Sequence, residues 1–172
     1  LRIVVEYGTT EALEQKLINN ELDLVLVISS HEIGPPIQKV PLFTSNMVMA
    51  VSKNHALAEI DKIPFKKIAE VPLILPGKGS NSREYVELLF VKHNMKPKIS
   101  IELNSIHALL QMVENSDWAT IVAEKALKGW EHSLKAIQIT GVSTKRDSYM
   151  LTMGGYQKKA VKLFMEEFRK SI

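Results

Sequence analysis

The sequence contains no cysteine, few aromatic residues and no apolar run long enough to cross a membrane. Without cysteine, the chain can form neither a disulfide bond nor a thiolate site, which is compatible with a cytoplasmic location. No secretory signal opens the chain. It begins directly on "LRIVVEY" without an initiator methionine, so we expect a fragment of a longer protein.

The charge of the chain is nearly balanced. Its 172 residues include 22 Lys and Arg and 19 Asp and Glu, which gives a net charge of +3 that is spread along the sequence. Such a distribution is typical of a solvated surface and does not predict a nucleic-acid-binding patch. The length and the 45% hydrophobic content are sufficient for one domain or two small lobes with a real core.

Strand-like and helix-like segments alternate along the chain. "LRIVVEY" predicts a strand, "TTEALEQKLINN" predicts a helix capped by Thr9 or Thr10, and "LDLVLVIS" predicts a second, fully covered strand. These segments predict an opening βαβ unit. The later alternation extends it to an α/β fold with mostly parallel sheets and helices on both faces.

Two Thr/Ser-rich joints, "FTSN" and "TGVSTK", are candidate crossings between two lobes. They predict a lobe I formed by residues 1–44 and 141–172, and a lobe II formed by residues 45–140.

The stretch "LPGKGSNSREYV" joins a predicted strand to a predicted helix. It lacks the glycine spacing of a Walker loop, and Ser82 stands where a dinucleotide fingerprint needs glycine. The remaining signal is a helix N-terminus with free amides, small residues and hydroxyl or amide donors. We therefore expect Lys78, Gly79, Ser80 and Asn81 to contact an anion, with a plain capped turn as the alternative.

Hydroxyl residues also follow the first two predicted strands. Thr9 and Thr10 come after the first strand, and Ser29 and Ser30 come after the second. In open α/β sheets, ligands bind at the carboxyl ends of the strands. Together with the loop at Lys78 these residues predict a polar cup for a small anion or carboxylate, and helix capping at every position is the alternative.

No catalytic or metal-binding motif is present. The five histidines lack metal-ligand spacing, and neither G-x-S-x-G nor H-E-x-x-H occurs. Glu6, Asp23 and Glu102 are conceivable bases, but each is more simply a surface or interface charge. We therefore predict no catalytic residue, no metal and no cofactor.

Three stretches, in this order and spacing, resemble LysR-type transcriptional regulators: "EALEQKLINNELDLVLV", "MVMAVSKNHALA" and "IELNSIHALLQMVENSDWATIVAEKAL". The resemblance covers essentially the whole chain. Ala56 and Ala123 depart from it, because many members have proline at these positions.

The resemblance implies a cytoplasmic effector-sensing domain with the two-lobed type 2 periplasmic-binding-protein fold, in which a small molecule binds between the lobes. The loops that line that cleft correspond to Thr9, Ser29–Ser30, Thr44 and the Lys78–Asn81 loop, and Thr120 corresponds to a position near the ligand edge of lobe II. The expected effector is a small anionic metabolite.

The resemblance also implies partners. Such domains pair head to tail, which predicts a homodimer or higher homo-oligomer and no membrane partner. DNA would be read only through a winged helix-turn-helix that this chain lacks, and the first strand and helix of lobe I also lack a counterpart here.

Two other functions stay open at this point. One is a solute-binding protein of the same fold for transport, which a signal peptide in the full gene would favour. The other is an enzyme on a related two-lobed fold, which measurable turnover of an anionic metabolite would reveal.

Overall fold

The computed structural model describes residues 2–28, 33–155 and 158–170. Its helices are α1 (Thr10–Ile18), α2 (Phe65–Ile68), α3 (Asn81–Lys92), α4 (Ile106–Glu114) and α5 (Lys159–Lys170), and a 3₁₀ turn covers Glu124–Leu127. Its strands are β1 (Val25–Ile28), β2 (Ile37–Ser52), β3 (Lys62–Pro64), β4 (Leu73–Pro76), β5 (Ile99–Leu103), β6 (Thr120–Ala123), β7 (Leu134–Thr140) and β8 (Lys145–Met153). Within the described ranges, no helix is long and apolar enough to span a bilayer.

The chain divides into two compact units, with boundaries between Thr44 and Ser45 and between Lys145 and Arg146. Strand β2 runs from the first unit into the second, and β8 begins at the second boundary. Residues 141–145, which the sequence prediction assigns to lobe I, group with the second unit. Two hydrogen bonds account for this: Tyr85 Oη donates to Ser143 O at 2.7 Å, and the Met47 amide donates to Thr144 O at 2.8 Å.

The second unit is built on a sheet that is parallel except for one strand. Strand β2 pairs antiparallel with β6 and β7, while β3 pairs parallel with β7 and β5 pairs parallel with β4. A parallel bridge between Leu73 and Ala119 connects β4 to β6. The predicted α/β class is therefore confirmed, and the reversed direction of β2 is an addition to the predicted parallel arrangement.

Alternation along β2 divides the core of the second unit between the two sheet faces. Met47, Met49 and Val51 join one buried cluster with residues of α2 and α3, whereas Val48 and Ala50 join another with residues of α4. Successive side chains of a strand point to opposite faces, so this continuous apolar run requires cover on both sides. Helices on both faces, as predicted, supply that cover.

The first unit is smaller, and in its described part β1 pairs antiparallel with β8. Strand β1 pairs with β8 in the register Val25 to Leu151, and α1 packs on it through the fully buried Leu17. Antiparallel pairing here departs from the mostly parallel prediction. The reason is that β8 returns from the second unit, a long-range pairing that no local pattern in the sequence encodes.

Residues 2–9 form neither a helix nor a strand, so the predicted opening strand and the βαβ unit are wrong. Their apolar side chains are largely in solvent: Ile3 is 56% exposed, Val4 71% and Val5 66%. A β-branched alternating run favours an extended chain, but a strand also needs a hydrogen-bonded neighbour. Among the described residues, no segment pairs with this run.

This correction can be tested with two valine substitutions. Val5→Ala is expected to change the free energy of unfolding by less than about 0.5 kcal/mol, because the side chain already lies in solvent. Val27→Ala, in β1 where the side chain is 5% exposed, is expected to cost about 2 kcal/mol. Urea titration measures both. Equal losses in the two variants would show that residues 2–9 are packed as a strand.

Candidate functional site

Two helix N-termini lie together at one edge of the second unit's sheet. Strands β4 and β5 are parallel and in register from Ile74 and Ile101 to Pro76 and Leu103, so their carboxyl ends coincide. Helix α3 follows β4 after residues 77–80, and α4 follows β5 after residues 104–105. The first amides of a helix have no intrahelical acceptor and carry partial positive charge. This edge therefore presents a concentration of hydrogen-bond donors.

Serine side chains cap both helices. Ser80 Oγ accepts from the Arg83 amide at 3.3 Å, and Ser105 Oγ accepts from the Ala108 amide at 3.3 Å. Each hydroxyl keeps its own proton, which is available for donation to a ligand. Ser80 therefore caps a helix, as the alternative interpretation of this loop predicts. Capping does not prevent its hydroxyl proton from being donated to a ligand.

The backbone of residues 77–80 turns through a left-handed glycine. Gly79 has φ +82°, a conformation that side-chain-bearing residues rarely adopt. Among the described residues, the amides of Lys78 and Gly79 have no protein acceptor. The Lys78 side chain is exposed, and Ser80 and Asn81 are half-buried. The structure therefore brings the predicted Lys78–Asn81 residues together as a donor-rich loop.

Asn104 belongs to the same edge and was not among the predicted site residues. A Cβ added to Gly77 would overlap Asn104 Oδ1 and would lie 3.1 Å from Asn104 Cγ. The Gly77 amide also donates to Leu103 O at 3.1 Å. The side chain of Asn104 therefore covers Gly77 and lies between the two helix N-termini. Its position directly after β5 is the signal that could have identified it.

Arg83 makes hydrogen bonds to residues at both ends of the loop. It was not among the predicted site residues. Its side chain is 2% exposed, and it donates from Nε to Glu87 Oε1 at 2.7 Å and from Nη2 to Glu102 Oε1 at 2.9 Å. Nη1 donates to Pro76 O at 3.1 Å. Burial opposes the charge, but the hydrogen bonds to Glu87 and Glu102 outweigh it and raise the pKa of Arg83 above its ordinary value. Glu102, considered as a possible base, is therefore an ion-pair partner.

The predicted residues of the first unit hold structural contacts. Thr9 is the N-cap of α1, where its Oγ1 accepts from the Ala12 amide at 3.3 Å. Thr44 Oγ1 donates to Asp147 Oδ1 at 2.6 Å, and both residues are exposed. Ser29 and Ser30 lie outside the described residues.

Thr120 lies in the core of the second unit. It is 0% exposed and is paired with Ala50 across β2 and β6, so its side chain points to the α4 face. Its Oγ1 has no hydrogen-bond partner among the described residues. The role of Thr120 as an effector contact therefore stays a prediction.

His55 stabilises the turn after β2. Its Nδ1 accepts from the Leu57 amide at 3.0 Å, and its Nε2 lies 3.2 Å from Asp117 O. Within residues 2–28, 33–155 and 158–170, no three His, Cys, Asp or Glu side chains form a group that could hold a metal ion.

The chain, with its two α/β units, can be assigned to a family, the LysR substrate binding domain. Residues 1–172 match this family over their full length, so the chain belongs to it. The transcriptional activator CmpR of Synechocystis sp. is 26% identical over 165 residues, which are 92% of this chain and 51% of CmpR. The chain thus spans about half the length of the curated regulators it matches.

Solved structures show the same fold. The effector binding domain of QuiR in complex with shikimate has a TM-score of 0.77 and 25% identity, and the match covers 95% of this chain and 79% of that one. The CcmR regulatory domain of Synechocystis in complex with 2-PG has a TM-score of 0.79 and 23% identity with the same coverage. These relatives are transcriptional regulators and not transport proteins, so the transport alternative is not favoured.

Proposed function

We propose that this chain is the effector-sensing domain of a bacterial transcriptional regulator and that it binds a small anionic metabolite at the edge formed by residues 77–81 and 104–105. The observation that supports this most directly is the pair of amides at Lys78 and Gly79, which meet no acceptor among the described residues. They lie at the N-terminus of α3, where partial positive charge favours an anion. The exposed ammonium of Lys78 adds a charged donor.

Two kinds of ligand are supported by the similar domains. The CcmR domain binds 2-PG and the QuiR domain binds shikimate. Neither identity transfers to this chain at the observed sequence similarity, so both compounds are test ligands together with inorganic phosphate. Native mass spectrometry of the domain purified from its host would detect a retained ligand directly.

The proposal also includes contacts from the first unit. Thr9, Ser29, Ser30 and Thr44 remain proposed effector contacts on the basis of the family resemblance. The hydroxyls of Thr9 and Thr44 are exposed, and each already makes one hydrogen bond that a ligand would have to share or replace. Thr120 also remains a proposed contact on the same basis, and its hydroxyl is fully buried.

Binding would act as a signal without covalent chemistry. An effector shifts a regulator only if it binds one conformation more tightly than another. The response would reach DNA through a domain outside this chain, which makes the cytoplasm the proposed location. We also propose self-association, on the basis of the family resemblance.

The loop assignment is tested by Ser80→Ala and Gly79→Val. Loss of the Ser80 hydroxyl removes a donor, and a Cβ at the left-handed Gly79 forces the loop to rearrange. Each change is expected to weaken binding of 2-PG, shikimate or phosphate by about tenfold, the equivalent of one lost hydrogen bond to a charged group. Isothermal titration calorimetry measures the affinity of whichever compound binds the unmodified domain.

Ser100→Ala is the matched control, because Ser100 is an exposed serine of β5 away from the loop. Ser80→Ala also removes a helix cap and is expected to lower stability by about 1 kcal/mol. Titrations are therefore made at a temperature where circular dichroism shows all variants folded. Unchanged affinity in both loop variants would reject the site.

A further inference from the structure

Given the proposed anion site, on which this inference rests, we propose that Arg83 is its positioning residue: the buried guanidinium aligns the loop at residues 77–80 with Asn104 and Ser105. It does so through hydrogen-bond geometry and does not attract the ligand by its charge.

The guanidinium joins the three elements that converge on the edge. Nη1 binds Pro76 O at the end of β4, Nη2 binds Glu102 two residues before Asn104 in the chain, and Nε binds Glu87 on α3. The side chain is 2% exposed and makes these bonds at 2.7–3.1 Å. A single side chain therefore links the end of β4, the end of β5 and helix α3 in one arrangement.

The bond to Pro76 O has a specific consequence for the loop. The peptide between Pro76 and Gly77 is held on both sides, since its carbonyl accepts from Arg83 and its amide donates to Leu103 O at 3.1 Å. The amide of Arg83 itself donates to Ser80 Oγ at the other end of the loop. Arg83 thus contacts the residues that flank Lys78 and Gly79, and it determines the direction in which their free amides point.

The local charge argues against direct attraction. A cation in the first turn of a helix opposes the helix dipole, and Arg83 is paired with two carboxylates that are 42% and 41% exposed. One guanidinium with two carboxylates leaves the cluster negative, which would repel an anion. The guanidinium bonds Glu87, Pro76 and Glu102 from three different nitrogen atoms, whereas the three donors of a lysine ammonium share one nitrogen and cannot reproduce this fork.

The decisive variant is Glu102→Ala. It removes a negative charge near the site, so a role based on charge predicts tighter anion binding. A positioning role predicts weaker binding, because the guanidinium loses the bond that links it to β5. Glu102 is 41% exposed, so the variant is expected to fold. Inorganic phosphate is the probe, and calorimetry or NMR titration gives its affinity.

Arg83→Lys and Arg83→Met complete the test. Both are expected to lower phosphate affinity by about tenfold or more, since neither side chain reproduces the three bonds. In the ligand-free domain, the ¹⁵N–¹H signals of Lys78 and Gly79 are expected to move in all three variants, while those of β7 stay in place. Ile137→Val, a fully buried change in β7, is the control for general destabilisation. It is expected to leave the phosphate affinity and the Lys78 and Gly79 signals unchanged.

Any of three results would overturn the inference. Arg83→Lys could retain phosphate affinity, Glu102→Ala could bind phosphate more tightly, or Ile137→Val could lose as much phosphate affinity as the Arg83 variants. Failure of the proposed function itself is distinguishable. If the unmodified domain binds no phosphate, the anion site is rejected, whereas the loop signals without ligand still show whether Arg83 positions Lys78 and Gly79.

Discussion

Gly77→Ala is expected to reduce anion binding by at least about tenfold, the equivalent of 1.4 kcal/mol. The added Cβ would overlap Asn104 Oδ1 and would approach Asn104 Cγ to 3.1 Å. Because the obstructing atoms belong to a side chain, Asn104 can rotate away, and the free energy of unfolding should fall by only about 1–2 kcal/mol. The loss of binding follows from this rotation, which moves Asn104 from its position between α3 and α4.

Two controls separate this effect from a general effect of removing a glycine. Gly34→Ala meets nothing within 4 Å and is expected to leave affinity unchanged. Gly77→Ala combined with Asn104→Ala removes the overlap, so the double variant should recover most of the lost stability while binding stays weak. Affinity is measured by calorimetry and stability by urea titration. Full affinity in Gly77→Ala would show that Asn104 does not contact the ligand.

Phe90→Ala is expected to cost about 3–5 kcal/mol in the free energy of unfolding, the largest loss for any single change proposed for this chain. Phe90 is 0% exposed, and its ring centroid lies 4.8 Å from that of Phe65 on α2. The substitution leaves a cavity where α3 packs on the sheet, and rigid neighbours fill such a cavity only partly. Total stabilities of natural domains are about 5–15 kcal/mol, so the variant should approach unfolding at room temperature.

Val91→Ala is the matched control for Phe90→Ala. It changes the adjacent residue of α3, whose side chain is 68% exposed, and should alter stability by less than about 0.5 kcal/mol. Urea titration followed by circular dichroism compares the midpoints. A loss below about 1.5 kcal/mol for Phe90→Ala, the lower end for burying such a side chain, would mean that α3 is not packed on the sheet as described.

Local features of the site were predictable from the sequence because they depend on neighbouring residues. Small polar residues mark the N-terminus of a helix, and of the two predicted caps of α1, Thr9 and Thr10, the structure confirms Thr9. The Lys78–Asn81 loop was identified by the same signal. The run "LDLVLVIS", predicted as a fully covered strand, does form β1, but Leu26 is 44% exposed, so the predicted cover on both faces is wrong.

Other features depend on contacts between residues that are distant in the sequence. Residues 2–9 have the composition of a strand, yet composition cannot supply the neighbour that a strand requires. Thr120 was assigned to the ligand edge by family position, and only packing shows its hydroxyl buried against the α4 face. Neither outcome could be inferred from the residues themselves.

The sequence by itself determined the α/β class, the family, the helix N-termini and the donor-rich loop, since periodicity, capping and motif order are local properties of the chain. Only the tertiary structure decided which groups meet at that loop. Asn104 covers Gly77, and Arg83 joins Pro76 to Glu102, through pairings of β4 with β5 that bring separated segments together. Such pairings are determined by the packing of the whole unit, and for this reason no local pattern predicts them.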